Sequence, residues 1–187
     1  MFSVIAAKLD KTNGIGVNGG LPWTLPSDLH LFQKLTAEKR FIDNAPRKNA
    51  VNAVIMGRKT WESLPMKKRP LSNRINVVIS RSLTSAEVPE SVNVFPTLTE
   101  ALDCLQRDLY CADIFVIGGA RLYQEAIHHP CCETLYLTNI TCIRIDPPVC
   151  DTFFPEIPKE YTLTGTPKQW EDSEYQLELQ VWKRVVS

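Results

Sequence analysis

The chain has 187 residues, of which 21 are Lys or Arg and 21 are Asp or Glu, so its formal net charge is zero. One domain of about 150 residues suits that length better than two, and such a domain buries about 70% of its unfolded surface, enough to hold together without a metal or disulfide staple. With 44% apolar and 22% charged residues the composition is that of a folded globular protein, and the balanced charge exerts no long-range pull on nucleic acid or an anionic membrane.

Met1–Ala7 has the apolar character of a short signal core. No basic leader precedes it, and Lys8 and Asp10 interrupt it, so it reads as a first strand, Val4–Ala7. No apolar run approaches the roughly 20 residues that span a bilayer, and a cytoplasmic protein is expected. Gly14-Ile15-Gly16-Val17-Asn18-Gly19 then matches the spacing G-x-G-x-x-G. That motif works only where a helix starts directly behind it and turns its N-terminus toward a pyrophosphate. Gly20, Pro22 and Pro26 forbid such a helix here. Asn13–Leu25 reads instead as a long mobile loop whose Leu21, Trp23 and Leu25 cover a pocket, because large apolar groups in a loop generally meet something. An ordinary surface loop is the plainer alternative.

Leu29, Phe32 and Thr36 recur at i, i+3 and i+7, with Leu31 and Leu35 beside them, which predicts a helix. The runs Val51–Met56, Ile75–Ile79, Val92–Phe95, Ile114–Ile117 and Leu135–Thr141 are β-branched-rich and nearly continuous, as strands covered on both faces are. Between them, Thr97-Leu98-Thr99-Glu100 is a capping box opening a helix over Ala101–Arg107, and Ala120–Ile127 forms a helix behind two glycines. Glu174–Val181 alternates strictly, predicting an antiparallel strand with one wet face, paired with Tyr161–Thr164. The fold class is therefore α/β: a single domain, residues 1–187, with a mainly parallel twisted sheet of about eight strands, flanking helices and an antiparallel C-terminal strand. Ligands of such sheets bind outside the carboxyl ends of the strands. The cysteines (104, 111, 131, 132, 142 and 150) contain no C-x-x-C pair and no ligand spacing with the three histidines. They read as reduced structural thiols, and no metal site is expected.

Four groups of residues carry chemistry. Leu21-Pro22-Trp23 is followed by Asp28 at the start of a helix with Leu29 and Phe32. Val54-Ile55-Met56-Gly57-Arg58-Lys59-Thr60-Trp61 puts a basic pair just past a strand end. Arg69-Pro70-Leu71-Ser72-Asn73-Arg74 leads into a strand ending Ile79-Ser80-Arg81. Val116-Ile117-Gly118-Gly119-Ala120 is strand, double glycine, helix. Each has a bland reading: Asp28 as a helix cap, Arg74 as a solvated charge, Arg58, Lys59 and Arg81 as scattered surface charge, the isoleucines as core. An apolar lining of Leu29, Phe32, Leu21 and Trp23 around Asp28 instead makes that carboxylate an acceptor for the paired N–H groups of an amidine-like edge.

Taken in order, and with Asp151-Thr152-Phe153-Phe154-Pro155 near the C-terminus, these motifs resemble dihydrofolate reductase across residues 3–185. The segment Lys39–Val51 points to a eukaryotic-type member. The resemblance implies an NADPH-dependent oxidoreductase that converts 7,8-dihydrofolate to tetrahydrofolate, is a target of antifolates, and works as a monomer without nucleic-acid or membrane partners. It implies that Asp28, supported by Thr138, with Leu21 and Trp23 of the loop, carries the catalysis. Substrate then meets Ile5, Ala7, Leu29, Phe32, Gln33, Ser63, Leu64, Leu71, Ile117 and Tyr123, with the Ile5 and Ile117 carbonyls at the ring and Arg74 forked to the glutamate α-carboxylate. Asn73 stands where glycine is frequent, and Asn tolerates the positive φ that position would need. The cofactor implied is NADPH. Its nicotinamide meets Ala7 and Ile15, under the loop glycines Gly16, Gly19 and Gly20. Its phosphates meet Gly57, Arg58, Lys59, Thr60, Ser80, Arg81 and Ser82, with Gly118, Gly119, Ala120, Arg121, Leu122 and Tyr123 at the helix N-terminus. Ala120 replaces a frequent Gly or Ser, a small change.

Two other classes compete. A pyrimidine reductase of riboflavin synthesis would not need Asp28, Phe32 and Arg74 together. A non-catalytic folate-binding or nucleic-acid-binding module would not need the cofactor residues. No fused thymidylate synthase segment is expected within these 187 residues.

Overall fold

Strict alternation of side chains along each parallel strand decides how the two halves of the protein attach to one sheet. The computed structural model describes residues 1–38 and 50–185. The segment Lys39–Val51 thus lies, apart from its last two residues, outside the described residues. The strands are β1 (Phe2–Leu9), β2 (Gly14–Gly16), β3 (Val51–Gly57), β4 (Ile75–Ile79), β5 (Val92–Phe95), β6 (Cys111–Val116), β7 (Cys132–Cys142), β8 (Thr152–Phe153), β9 (Tyr161–Asp172) and β10 (Tyr175–Arg184). The helices are α1 (Pro26–Ala37), α2 (Arg58–Ser63), α3 (Leu98–Arg107) and α4 (Ala120–His128).

Eight strands form one sheet in the order β5-β4-β3-β6-β1-β7-β10-β9. Every pair from β5 to β7 is parallel, and β10 runs antiparallel to both β7 and β9. The predicted C-terminal pairing is present, with Val181 opposite Thr164; β9 extends further, to Asp172, and β10 alone runs against the direction of the other strands. Val4 and Ala6 of β1, Ala53 and Ile55 of β3, Ile114 and Val116 of β6, and Leu135 and Leu137 of β7 point to one face, under α3 and α4. Ile5, Val54, Met56, Phe115 and Tyr136 point to the other, under α1 and α2. Half of the expected capping box forms: the Glu100 N–H donates to Thr97 Oγ1 at 3.2 Å, while the Glu100 carboxylate accepts from the Thr97 hydroxyl at 2.8 Å, and α3 begins at Leu98.

Among its described residues α1 fully buries only Thr36. Its Phe32 and Leu35 are partly covered and pack against the core of this face. The expected mobile loop is otherwise organised. Gly14–Gly16 is a strand paired with Thr152–Phe153, and Trp23 and Leu25 are buried with Leu9, Ile140 and Leu177. An added Cβ at Gly14 would sit 2.8 Å from Cys150 Cβ, which explains why glycine stands where these two segments touch. No helix follows the glycine motif until Pro26, so it is not a dinucleotide fingerprint.

Arg184 at the end of β10 closes the far end of α4. Its guanidinium donates to the carbonyls of Ile127 (2.8 Å), His129 (3.2 Å) and Cys132 (2.9 Å), and to the Tyr161 hydroxyl (2.9 Å). A cation at a helix C-terminus also suits the helix dipole. Replacing Arg184 with Ala removes these bonds at once and leaves the Tyr161 hydroxyl, 3.0 Å from Ile127 O and 3.1 Å from Cys132 O, as a single donor for two carbonyls. The expected loss is about 2–4 kcal/mol in urea unfolding, and a change within about 0.5 kcal/mol would make the cluster a surface feature.

Candidate active site

A cleft of about 780 Å³ opens at the carboxyl ends of β1, β3, β4 and β6. Gly57 ends β3, and its N–H donates to Gly118 O at 2.7 Å, drawing the double glycine against the start of α2. A Cβ on Gly119 would come within 3.3 Å of Thr60 Oγ1, and Gly118 has φ +117 with the Tyr123 hydroxyl 3.1 Å from its would-be Cβ. Side chains at both positions would fill the floor of the cleft. Gly119 is the N-cap of α4 and offers no side-chain acceptor, so the first-turn N–H groups are left for a ligand. Arg58, Lys59, Arg81 and Arg121 add positive charge to the same walls. Volume, open amides and four cations fit a phosphorylated dinucleotide.

The cofactor residues expected from sequence gather here. Ala7, Ile15, Gly16, Gly19 and Gly20 line one side, Gly57 through Thr60 with Ser80 and Arg81 another, and Gly118 through Tyr123 the third. Ser82 does not reach the wall. Its N–H turns back to Ser80 Oγ (3.2 Å), which also accepts from the Leu83 N–H (2.9 Å), so Ser82 shapes the turn that presents Ser80 and Arg81. Ile79, Pro96, Thr97, Glu125 and Thr152 also line the cleft and were not foreseen. Pro96 and Thr97 follow the end of β5, where the strand-end rule could have found them. Ser63 lines the cleft too, with its hydroxyl donating to Thr60 O at 2.8 Å.

Asp28 sits at the third helical position of α1, beside this cleft. Burial raises its pKa to about 6, against the opposing effect of a hydrogen bond from the Thr138 hydroxyl. Thr138 is buried on β7, in register with Ala7. Tyr123 is buried from α4, and its hydroxyl donates to Ile5 O at 2.9 Å. Burial first, and the nearby Asp28 charge second, hold that phenol protonated well above its usual range. The Ile5 carbonyl expected at the ring is therefore already engaged by one partner. The Ile5 side chain packs with Phe32, Leu64, Leu71 and Ile117, the apolar group the sequence proposed.

The lining expected around Asp28 is not as drawn. Leu21, which lines the cleft, and Leu29 are 57% and 44% exposed, and Gln33 is exposed on α1. Trp23 is 6% exposed, and its Nε1–H is buried with no protein acceptor. Leu25, expected as cover, is core. The reason is the short β2–β8 sheet, which pins the loop at its base and turns Trp23 inward. Asp151 Oδ2 accepts the Asn18 N–H at 2.8 Å, and Lys8, buried and with its pKa lowered by that burial, donates to Asn13 Oδ1 at 2.8 Å.

Arg74 lies at the far end of the apolar group, 5.8 Å above the Phe32 ring. Its Nη1 donates to Thr36 Oγ1 at 2.7 Å and its Nε to Ser72 O at 3.0 Å, and burial lowers its pKa. Thr36 in turn donates to Phe32 O at 2.7 Å. The sequence marked Thr36 only as part of a helical stripe. A fully buried hydroxyl in that stripe is what aims the guanidinium. Asn73, before it, has φ 58, as its residue type allows.

The fold and site define an α/β oxidoreductase with a nucleotide-sized cleft beside an apolar pocket holding one carboxylate. The chain belongs to the dihydrofolate reductase family, whose model matches residues 1–184. It is 43% identical over 161 residues to "Dihydrofolate reductase" of Heliothis virescens, covering 85% of this chain and 81% of that one. A Drosophila melanogaster protein of the same description is 40% identical over 160 residues, covering 86% and 82%. "Bifunctional dihydrofolate reductase-thymidylate synthase 1" of Arabidopsis thaliana is 43% identical over 161 residues, 83% of this chain and 29% of that longer one.

A pKa of about 6 in the folded protein against an ordinary carboxylate value of about 3.9 means that the native state holds the extra proton between those values. Stability therefore falls as pH rises through that window. Asp28→Asn, which is uncharged at every pH, should be more stable than the parent at pH 7 by on the order of 2–3 kcal/mol, with the difference vanishing below about pH 4. Paired urea titrations at the two pH values check it; a variant less stable at pH 7 contradicts it.

Proposed function

We propose that the protein reduces 7,8-dihydrofolate to tetrahydrofolate with NADPH, in one catalytic domain, and that Asp28 is the group on which the reduction turns. The observation that carries this reading is a single half-buried carboxylate, tied to Thr138, between an apolar slot ending in Arg74 and a basic, glycine-floored cleft. NADPH, when bound, supplies the hydride that reduces the pterin at C6.

The chain's own residues do the rest. Asp28 accepts the paired N–H groups of the pterin's 2-amino and N3 edge, and its negative charge eases protonation at N5, directly or through a water. A bound pterin favours the ionised carboxylate, opposing the burial that raises its pKa. Thr138 fixes the carboxylate's orientation. The orphan Nε1–H of Trp23 is a donor held ready for substrate or water. Phe32, Leu64 and Leu71 grip the aminobenzoyl ring, and Arg74, aimed by Thr36, forks to the α-carboxylate. Gly118, Gly119 and the α4 amides take the pyrophosphate, while Arg58, Ser80 and Arg81 take the 2′-phosphate. Leu21 covers the reacting rings, and diamino antifolates would compete for Asp28. The pairing of Asp28 with Phe32 and Arg74 disfavours a pyrimidine reductase. The intact cofactor cleft disfavours a binding module.

Single-turnover oxidation of NADPH by dihydrofolate tests the reading. Asp28→Asn should slow hydride transfer roughly 10²–10⁴-fold near pH 7, and less as pH falls, because solution then delivers the proton. A variant as fast as the parent at pH 7, or equally slow at every pH, removes Asp28 from catalysis.

Arg74→Lys should raise KM for dihydrofolate, since an ammonium cannot reproduce a planar fork, and leave a pterin lacking the glutamate tail unaffected. Equal losses for both substrates would make Arg74 structural.

A further inference from the structure

Helix α1 has no cap of its own. Its N-cap position is Leu25, whose side chain is core and carries no polar atom. Pro26 has no N–H to satisfy. The next donor is met from 145 residues away: Asp172 Oδ2 accepts the Ser27 N–H at 3.0 Å and the Ser27 hydroxyl at 2.6 Å. Asp172 ends β9 at the hairpin turn, where Ser173 has φ 57 and donates its hydroxyl to Asp172 Oδ1 at 3.2 Å. The Trp170 Nε1–H, also on β9, donates to Ser27 Oγ at 2.9 Å. The hairpin tip thus stops the helix one residue before Asp28.

A carboxylate in a helix's first turn is drawn to the unsatisfied N–H groups and the positive end of the dipole there. With those groups unmet, Asp28 would be divided between its own helix end and Thr138. We propose that Asp172 is a positioning residue for the reduction: by capping α1 from the β9–β10 turn, it leaves the Asp28 carboxylate to Thr138 and the pterin pocket. This rests on the reading of Asp28 given above. It also accounts for a leucine at the N-cap. Leu25 is needed in the core with Trp23, so the cap must come from elsewhere in the fold.

A double-mutant cycle on single-turnover hydride transfer, at saturating NADPH and dihydrofolate, tests it. Asp172→Ala should slow the step roughly 10-fold or more, within the roughly 10² that a 1 Å misplacement costs, while NADPH affinity is unchanged. Asp172→Asn, which keeps an acceptor oxygen, should restore most of the rate. In an Asp28→Asn background Asp172→Ala should cost less than about twofold, because it has no carboxylate left to position. The same loss in both backgrounds, or a parent-like rate in Asp172→Ala, overturns the proposal. A parent-like rate in Asp28→Asn alone overturns the reading of Asp28, and the proposal with it. If Asp172→Ala does not fold, Ser27→Ala removes the hydroxyl's bonds to Asp172 and Trp170 but keeps the bond from the backbone N–H to Asp172, and should give a smaller loss, again confined to the Asp28 background. A lowered Tm with an unchanged rate per folded molecule shows a structural cap and nothing more.

Discussion

The hydrogen bond from the Gly57 N–H to Gly118 O, 2.7 Å long, is the contact on which the site depends. It continues the β3–β6 pairing one step past the sheet, beyond the bond from the Ile117 N–H to Ile55 O. Two strands that would otherwise diverge into their helices are held together there. The N-termini of α2 and α4 consequently start side by side, with no side chain between them at Gly57 or Gly119. The open amides of α4 and the bases that begin α2 are thereby gathered at one spot. The cleft follows from this close approach rather than from any one charged residue, so a protein of zero net charge can still concentrate positive charge locally.

The second half of the site is built on the opposite principle. A carboxylate placed in apolar surroundings is destabilising until a cation-like edge arrives to pair with it. Asp28 is held there by the Thr138 hydroxyl from β7, and its helix begins where the β9–β10 turn meets Ser27. Thr36 is the one residue that α1 buries completely among those described. That residue in turn directs Arg74, so the acidic and basic ends of the slot are set by one helix.

The loop beside the cleft joins the two halves. Its short sheet with Thr152–Phe153, the Asp151 bond to Asn18 and the buried Lys8–Asn13 pair fix both the base and the turn. Leu21 alone of the loop's large apolar groups is left exposed over the opening, while Trp23 and Leu25 anchor it in the core. Stability and reach are thereby divided between neighbouring residues of one segment.

The sequence determined what depends on local pattern. Near-continuous apolar runs mark strands covered on both faces, and the Thr97 cap marks the start of α3. Glycine and basic residues at strand ends mark the wall of the cleft, and the prolines after Gly20 rule out a dinucleotide helix. In the loop, residue type shows that Leu21, Trp23 and Leu25 meet something, but not which of them meets ligand and which meets core. That was decided by the pairing of Gly14–Gly16 with a strand almost 140 residues later. Likewise Ser82, Thr36 and Asp172 have no local signature. A serine in a turn, a threonine in a stripe and an aspartate in a hairpin are each ordinary until the fold sets a partner beside them. Only the tertiary structure brings Asp172 to the start of α1 and Thr36 to Arg74, because hydrogen bonds between distant segments are fixed by packing and leave no period in the chain.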